Sequence, residues 1–238
     1  MKFFWIAGWS FIFLLLLHFS LAIPAGPSTL SMVSSSRYPL ASASNTSAMA
    51  GNVSELTILA DSITQTWQGY FGNVSGAIVL GDSNNNTLYN WTLASANGEI
   101  YAVRDSVTPT WSSVRCANFT ELLSEESVLN VPVAAADGLN ETFFNTSVFN
   151  DFYVGPLNIN STQDCYATNL YNDTGAQSAY FSEVILSDTT ANLIYTSILN
   201  DNIVGFDSLS HDFEMIVGED GHNGDTNPTP YYFYVELQ

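Results

Sequence analysis

Short runs of apolar and β-branched residues, separated by Gly, Asn, Asp and Pro, recur along the chain from about residue 55 onward. Each run has the length of a β-strand, and the frequent turn residues favour antiparallel pairing over a parallel α/β sheet. We therefore predict an all-β fold, an antiparallel β-sandwich of the Ig-like or jelly-roll-like kind. The eleven predicted strands cover residues 56–67, 76–80, 87–93, 99–104, 111–115, 152–159, 180–186, 193–199, 203–206, 212–217 and 231–237.

One stretch, residues 120–129, has the pattern of a helix. Asn118 is a typical N-cap residue, and Glu121 three positions later completes a capping box. Leu122, Val128 and Leu129 are expected to form the buried face of this helix. The sandwich is therefore predicted to carry one short helix.

Residues 1–22 have the pattern of a secretory signal peptide. Lys2 precedes a long apolar run, and small residues stand at the −3 and −1 positions of a cut after Ala22. We expect removal of this segment and export to the cell surface or the extracellular space, without a membrane anchor. The alternative is a retained anchor, since residues 3–23 are nearly long enough to span a bilayer.

Residues 23–54, which we call the leader, are rich in Ser, Ala, Pro and Thr and contain no acid. This composition predicts a flexible, extended segment rather than a packed domain. A short alternation sets Leu30, Met32 and Ser34 against Thr29, Ser31 and Val33, and this stretch could pair as a strand if a groove were offered. Leu30, Met32 and Val33 are its candidate donor-strand residues. The remaining residues, 55–238, are predicted to form a single domain because no linker-like stretch divides them.

The chain is strongly acidic, with 23 Asp and Glu against 4 Lys and Arg, a net charge of −19. Without the signal peptide it has no lysine and three arginines, so the balance becomes 3 − 23 = −20. This excludes nucleic acid as a partner and disfavours docking on anionic lipid. It also excludes isopeptide crosslinks, which need a lysine amine, so contacts other than lysine crosslinks must hold any assembly; we expect a non-covalent one.

Sequons for N-glycosylation are more frequent than chance, with ten found against about four expected from composition. We predict a surface that carries covalent N-glycans; the alternative is that an Asn-rich and Ser/Thr-rich β protein accumulates sequons by composition alone. Alternation in the run 87–93 turns Asn90 away from Tyr89 and Trp91, toward solvent. The ten sequon asparagines are Asn45, Asn52, Asn73, Asn85, Asn90, Asn118, Asn140, Asn145, Asn160 and Asn172.

Two cysteines, Cys116 and Cys165, are expected to form a disulfide in an exported chain. They lie 49 positions apart, and closing such a loop is worth about 4 kcal/mol in the chain-entropy model. A pair of free, buried thiols is the alternative.

Catalytic motifs are present only in fragments, and we predict that the protein is not an enzyme. The triplet Gly81-Asp82-Ser83 resembles the nucleophile block of GDS-type esterases, which also need a histidine and a carboxylate. Asp207 and His211 are one residue too far apart for that family, and its α/β scaffold is not predicted here. A polar hairpin turn is the simpler interpretation of the triplet.

Two kinds of binding site have partial support in the sequence, a calcium site and a sugar-stacking surface. Glu219, Asp220 and Asp225 could hold Ca²⁺, although a polar turn before the last strand is the favoured interpretation, and no cofactor is predicted. Sugar stacking on exposed aromatic side chains would make the protein a lectin that binds surface glycans, whereas in most secreted sandwiches such residues are core. The aromatic candidates are Trp67, Tyr70, Trp91, Trp111 and the run 231–234.

Several blocks of the sequence resemble a secreted β-domain that recurs in archaeal cell-surface proteins. They are residues 67–76 (WQGYFGNVSG), 80–91 (LGDSNNNTLYNW), 205–207 (GFD) and 218–222 (GEDGH), and the spacing around the two cysteines is similar as well. The resemblance covers about residues 56–238. It implies a cell-surface location and supplies no catalytic residue.

The overall plan, a signal, a Ser-rich leader and one glycosylated sandwich, also resembles the subunits of archaeal surface threads and bundling pili. This resemblance implies a filament of identical subunits arranged head to tail. In such filaments the leader of one subunit completes the sheet of its neighbour by strand addition. A secreted or surface-anchored carbohydrate-binding or adhesion module is the alternative function.

Overall fold

The structure, a computed structural model, describes residues 23–145, 148–220 and 227–238. The all-β class and the antiparallel pairing are confirmed in this part of the chain. In chain order the strands are β1 (Trp67–Gly72), β2 (Ala77–Gly81), β3 (Thr87–Thr92), β4 (Gly98–Val103), β5 (Arg115–Cys116), β6 (Phe152–Val154), β7 (Leu157–Ile159), β8 (Ala167–Tyr171), β9 (Gln177–Ser187), β10 (Leu193–Ile198), β11 (Ile203–Val204), β12 (Ser210–His211), β13 (Phe213–Gly218) and β14 (Tyr232–Leu237). The helices are α1 (Phe119–Val128) and the single-turn α2 (Leu139–Thr142), with a 3₁₀ turn at Trp111–Ser113.

A six-stranded antiparallel sheet forms the centre of the fold, with strand order β14–β4–β10–β9 followed by β5 and β8. The two last strands are short and lie one after the other along the same edge of the long strand β9. At the opposite side of the sheet β14 is the outermost strand. Every residue of β4 and β10 is buried because layers of chain cover both faces of the sheet.

Two hydrophobic clusters fill the spaces on either side of the central sheet. Alternate side chains of β4 divide between them, with Ile100 and Ala102 in one cluster and Tyr101 and Val103 in the other. The first cluster is covered by α1 and by the two-stranded sheet β1–β13. The second is covered by the 3₁₀ turn and the β6–β7 hairpin.

Polar side chains of the central sheet bind the edge of β13 that does not pair with β1. The buried carboxylate of Glu183 on β9 accepts a hydrogen bond from the backbone N–H of Ile216 at 2.8 Å. The hydroxyl of Ser197 on β10 donates to the carbonyl of Glu214 at 2.8 Å. These bonds satisfy backbone groups that a third strand would otherwise bond, so β13 is closed to strand addition at these positions.

The disulfide between Cys116 and Cys165 is present, with Cα atoms 4.8 Å apart. Cys116 ends β5 and Cys165 stands two residues before β8, so the bond joins the two short strands that share one edge of β9. Between the cysteines the chain forms both helices and the β6–β7 hairpin. The bridge therefore closes the loop that supplies covering elements on both sides of the sheet.

The helix prediction is confirmed almost residue for residue. Asn118 caps α1: its side chain accepts from the backbone N–H of Glu121 at 3.0 Å, and the Glu121 carboxylate accepts from the backbone N–H of Asn118 at 2.8 Å. Leu122 and Leu129 are buried as expected, whereas the assignment of Val128 to the buried face is wrong. The buried positions beside Leu122 are taken instead by glutamates.

Three strand predictions are wrong in detail. The run 56–67 is mostly exposed up to residue 65 and carries no strand before Trp67, and the run 111–115 is mainly a 3₁₀ turn. The run 152–159 is a hairpin rather than one strand, because Gly155 turns the chain with a φ of 54°. Residues 68–72 and 167–171 form strands that the sequence pattern did not reveal.

Candidate functional site: an exposed leader, a sheet edge and an apolar hairpin

The leader lies outside the sheets over almost its whole length. Between residues 23 and 65 no residue belongs to a helix or a strand, and Ala25 alone forms a β-bridge. Apolar side chains in water forgo hydrophobic free energy that a partner surface would recover. The large exposed apolar side chains of this segment are Ile23, Leu30, Met32, Val33, Tyr38, Leu40, Met49, Val53, Leu56, Ile58 and Leu59.

The three predicted donor residues are among the most exposed. Leu30, Met32 and Val33 expose 67%, 77% and 96% of their surface. Beyond the leader, at the end of the extended chain before β1, the Thr64 hydroxyl donates to the carboxylate of Asp137 at 2.6 Å. The residues are thus brought into no sheet of their own chain and are accessible to another molecule.

The first residues of the leader meet the outer edge of the central sheet. Ala25 pairs with Val235 of β14 through two backbone hydrogen bonds, of 3.1 and 2.8 Å. The antiparallel register puts Pro27 opposite Phe233, and proline has no N–H to donate, so pairing ends there. The edge of β14 therefore accepts one residue of added strand, and the rest of the leader leaves the body.

The hairpin β2–β3 forms a separate two-stranded sheet. Its register pairs Ile78 with Trp91 and Leu80 with Tyr89, so these four side chains share one face. Their exposed fractions lie between 47% for Ile78 and 58% for Tyr89, and the rings of Tyr89 and Trp91 are 4.9 Å apart. We call this surface the apolar hairpin face.

The sequon asparagines all lie at or near the surface. Seven are exposed, and Asn140, Asn160 and Asn172 are half-buried. Asn90 is paired with Val79 on the side of the hairpin opposite Tyr89, as the alternation predicts, and Asn85 lies at the hairpin tip. Attached glycans would therefore leave the apolar hairpin face uncovered.

At Asn118 capping and glycosylation are compatible, since the cap uses the side-chain oxygen and a glycan would use the nitrogen. We expect Asn118→Ala to lower the free energy of unfolding by about 1 kcal/mol, because the N-cap acceptor of α1 is lost. Asn118→Asp is the matched control, since it removes the sequon but keeps the acceptor. Urea denaturation of both variants measures the difference, and equal stability would contradict the capping role.

The arginines of the folded body are already paired with glutamates of α1. Arg104 binds the carboxylate of Glu125 with two bonds of 3.0 Å, and Arg115 binds Glu121 with bonds of 3.0 and 2.7 Å. Both contacts are bidentate, the strongest geometry for this pair of groups. Arg37, in the leader, forms no ion pair with any residue of the described ranges. It is therefore available to an acidic partner.

A pair of buried carboxylates lies directly beneath the edge that meets the leader. Glu99 of β4 and Glu236 of β14 are opposite each other in the register, and both are almost fully buried. Glu236 accepts from the Tyr101 hydroxyl at 3.2 Å and the Gly155 N–H at 3.1 Å, and Glu99 accepts from the Gln238 amide at 3.2 Å. Burial, together with the charge of Glu236, raises the pKa of Glu99 to about 9. Burial also raises the pKa of Glu236. Folding thus favours a pair that keeps a proton, at carboxylates that are almost fully shielded from solvent.

The catalytic and metal candidates are not assembled into a site. Asp207 bonds the His211 ring at 2.8 Å, but no hydrogen bond among the described residues connects His211 with Ser83 at the hairpin tip. Glu219 and Asp220 both accept from the Thr229 hydroxyl, at 3.3 and 3.0 Å. Asp225 lies outside the described residues, which contain no cluster of three or more candidate metal ligands.

The aromatic candidates do not form one platform. Trp111 is buried between Tyr101 and Tyr234, and Trp67 packs on Phe143. Trp91 is the tryptophan of this group that is exposed, on the apolar hairpin face. Of the remaining candidates Tyr232 is exposed, whereas Tyr70 and the other members of the run 231–234 are partly buried and pack against the core.

A polar cleft of about 420 Å³ opens beside the ends of β4 and β14. Its lining includes Arg104, Asp105, Glu125, Asn192 and Tyr232. Two carboxylates against one guanidinium disfavour an anionic ligand, and Tyr232 offers an exposed ring for stacking. The cleft is thus polar and open, and Tyr232 is an exposed aromatic side chain in its lining.

In comparisons with known proteins, no family model, no curated protein and no solved structure matches this chain. Over the residues that the structure covers, no helix has the length and hydrophobicity of a membrane span. The predicted signal segment, residues 1–22, lies outside the described residues. Function must therefore be inferred from this chain's own residues.

Proposed function

We propose that this protein is a structural subunit of an extracellular, N-glycosylated filament. In the proposed filament identical copies associate head to tail and without covalent bonds. The leader of one copy adds a strand to the next copy, and the filament itself serves attachment or cell contact. Neither an enzymatic activity nor a cofactor is part of the proposal.

The observation that carries the proposal is the state of the leader. Its apolar side chains are exposed, although a segment bound to its own body would bury them. The backbone pair between Ala25 and Val235 supports strand addition, because it is the start of an added strand at a sheet edge. Proline at position 27 then directs the chain outward.

The leader and the extended chain that joins it to β1 are long enough to reach a neighbour. Residues 28–65 are 38 in number and, fully extended, span at most roughly 130 Å. That length exceeds the diameter of a domain of this size several times over. A leader that begins at one body can therefore contact the next one.

Charge also supports contact through the leader. The body of each copy is strongly acidic, so two bodies repel each other, whereas the leader has no acid and contains Arg37. Contact between the leader of one copy and the body of another is therefore the arrangement that charge favours. The excess of sequons agrees with an exported protein.

The leading test uses the full processed chain with the triple substitution Leu30→Ser, Met32→Ser and Val33→Ser. We expect wild-type protein to form filaments of one repeating globule, and the triple variant to remain monomeric because the inserted strand loses its apolar anchors. Electron microscopy and sedimentation velocity measure the outcome. The matched control is Met49→Ser with Val53→Ser, which removes exposed apolar side chains outside the predicted donor strand.

A wild-type protein that stays monomeric at high concentration would overturn the filament. So would a triple variant that assembles as well as its control. The cleft beside Tyr232 favours a second candidate, a carbohydrate-binding or adhesion module. Monomeric wild-type protein that binds neutral sugars, and loses them with Tyr232→Ala, would support that module.

A further inference from the structure

No segment among the described residues covers the apolar hairpin face. Two strands without a third, or without packing against another element, are marginally stable in water. Here Ile78, Leu80, Tyr89 and Trp91 remain about half exposed on one side of such a hairpin. A contiguous apolar surface of this kind is typical of an interaction site.

The same chain's leader does not supply the cover. The leader is present in the structure and begins close to the hairpin: Ala25 pairs with Val235, and Gly76 at the hairpin root contacts the Leu237 side chain too closely to leave room for a Cβ atom. Nevertheless Tyr89 and Trp91 stay exposed. The part of the chain that the structure describes therefore leaves this face open to another molecule.

Charge restricts what the external cover can be. The strands β2 and β3 contain no charged residue, and Asp82 in the turn is the only acid between residues 76 and 93. A second acidic body would bring its carboxylates against an apolar surface, which costs desolvation free energy. The leader of a second copy brings none, and it offers apolar side chains at alternate positions, Leu30 and Met32.

The sequons of the hairpin lie outside the apolar hairpin face. The predicted glycan on Asn90 lies on the opposite side of β3, and that on Asn85 lies at the tip. The first sequon of the leader is Asn45, beyond its alternating segment. Both surfaces can therefore approach each other without a glycan between them.

We propose that the apolar hairpin face binds the alternating segment of the leader, around Leu30 to Val33, from a second copy of this chain. This inference rests on the proposed filament, and it names the surface that receives the donor strand. The incoming segment lies beside the hairpin as a third strand. With β3 as the pairing edge, Leu30 and Met32 lie on the same face beside Tyr89 and Trp91 and bury part of their rings.

The test is photo-crosslinking in the full processed chain. A photoreactive amino acid replaces Leu30, and chains of normal and heavy-isotope composition are mixed before irradiation. We expect crosslinks from position 30 to residues 77–92 of the other isotope, identified by mass spectrometry. Crosslinks only within one isotope, or crosslinks to another part of the body such as β14, would overturn the inference.

A matched pair of substitutions gives an independent readout. Tyr89→Ser is expected to raise the concentration needed for half assembly about tenfold, since one aromatic contact is lost. Tyr180→Ser removes a ring of similar exposure, 56% against 58%, from β9 and is expected to leave assembly unchanged. Equal assembly of the two variants would contradict the proposal.

Failure of this inference is distinguishable from failure of the filament. Filaments with crosslinks elsewhere would leave the filament in place and remove the hairpin as its acceptor. Ala25, near the start of the leader, and Gly76, at the root of the hairpin, both lie near the C-terminal end of β14. Two copies could therefore also exchange leaders reciprocally. Crosslinks to the hairpin in a closed dimer would confirm the acceptor and remove the filament.

Discussion

Replacing Cys116 and Cys165 with alanine in one chain is expected to lower the free energy of unfolding by about 4 kcal/mol. The disulfide closes a loop of 49 positions, and opening it returns conformational freedom to the unfolded chain. The loop between the cysteines contains the elements that cover both faces of the central sheet, so we expect opening it to destabilise the whole fold. Urea denaturation of wild type and variant measures the difference.

Reduction of the wild-type disulfide is the control for this result. It breaks the same bond without changing the volume of the buried Cys165 side chain. We expect reduced wild type and the double alanine variant to have lost similar stability. A loss below about 1 kcal/mol in both would show that the loop is held by its other contacts, not by the bridge.

The second large effect is a loss of stability as pH rises, caused by the Glu99 and Glu236 pair. The unfolded pKa of a glutamate is 4.5, and the folded pKa of Glu99 is raised to about 9 by burial and by the charge of Glu236. A raised folded pKa means that the contribution is complete below 4.5 and declines as pH rises toward 9. The decline is about 1.4 kcal/mol per pH unit for each retained proton.

Between pH 5 and pH 8 this amounts to about 4 kcal/mol for one proton. Glu99→Gln, a neutral isostere, is expected to flatten the decline, because nothing remains at that position to lose a proton. Glu55→Gln is the control, since it removes one exposed charge from the extended N-terminal segment. Chemical denaturation at pH 5, 6.5 and 8 gives the slope of stability against pH for wild type and for each variant. An unchanged slope in Glu99→Gln would contradict proton retention by the Glu99 and Glu236 pair.

Other carboxylates act in the opposite direction at low pH. The pKa of Asp188 is lowered by hydrogen bonds from Thr190 and from backbone N–H groups, against the effect of burial, and that of Glu121 is lowered mainly by Arg115. A lowered folded pKa gives stability that is present above pH 4.5 and is lost as pH falls further. Maximum stability is therefore expected in mildly acidic solution.

Local signals predicted the helix and most of the core strands well. The capping box at Asn118 and Glu121 depends on residues three positions apart, so the sequence displays it directly. The alternation of β3 likewise placed Asn90 away from Tyr89. In both cases the deciding contacts are between near neighbours in the chain, and no knowledge of tertiary pairing is needed.

Features that depend on distant pairing were not predictable. β1 contains two glycines, which weaken a strand pattern, and it is held as a strand by its long pairing with β13. The carboxylate pair joins residues 137 positions apart, and the alternation of the last strand put Glu236 only on a face shared with tyrosines. Knowledge that β14 lies beside β4 would have brought Glu99 and Glu236 together.

The bidentate pairing of Arg104 and Arg115 with α1 has a consequence for proteolysis. A protease of trypsin specificity, which cleaves after lysine or arginine, meets both of these residues beside ordered strands, where backbone cannot enter its cleft. Arg37 lies in extended, accessible chain. A single cut after Arg37 would release Leu30 to Val33 and leave the body intact, so in the proposed filament a protease would detach subunits from one another while their sheets stay folded.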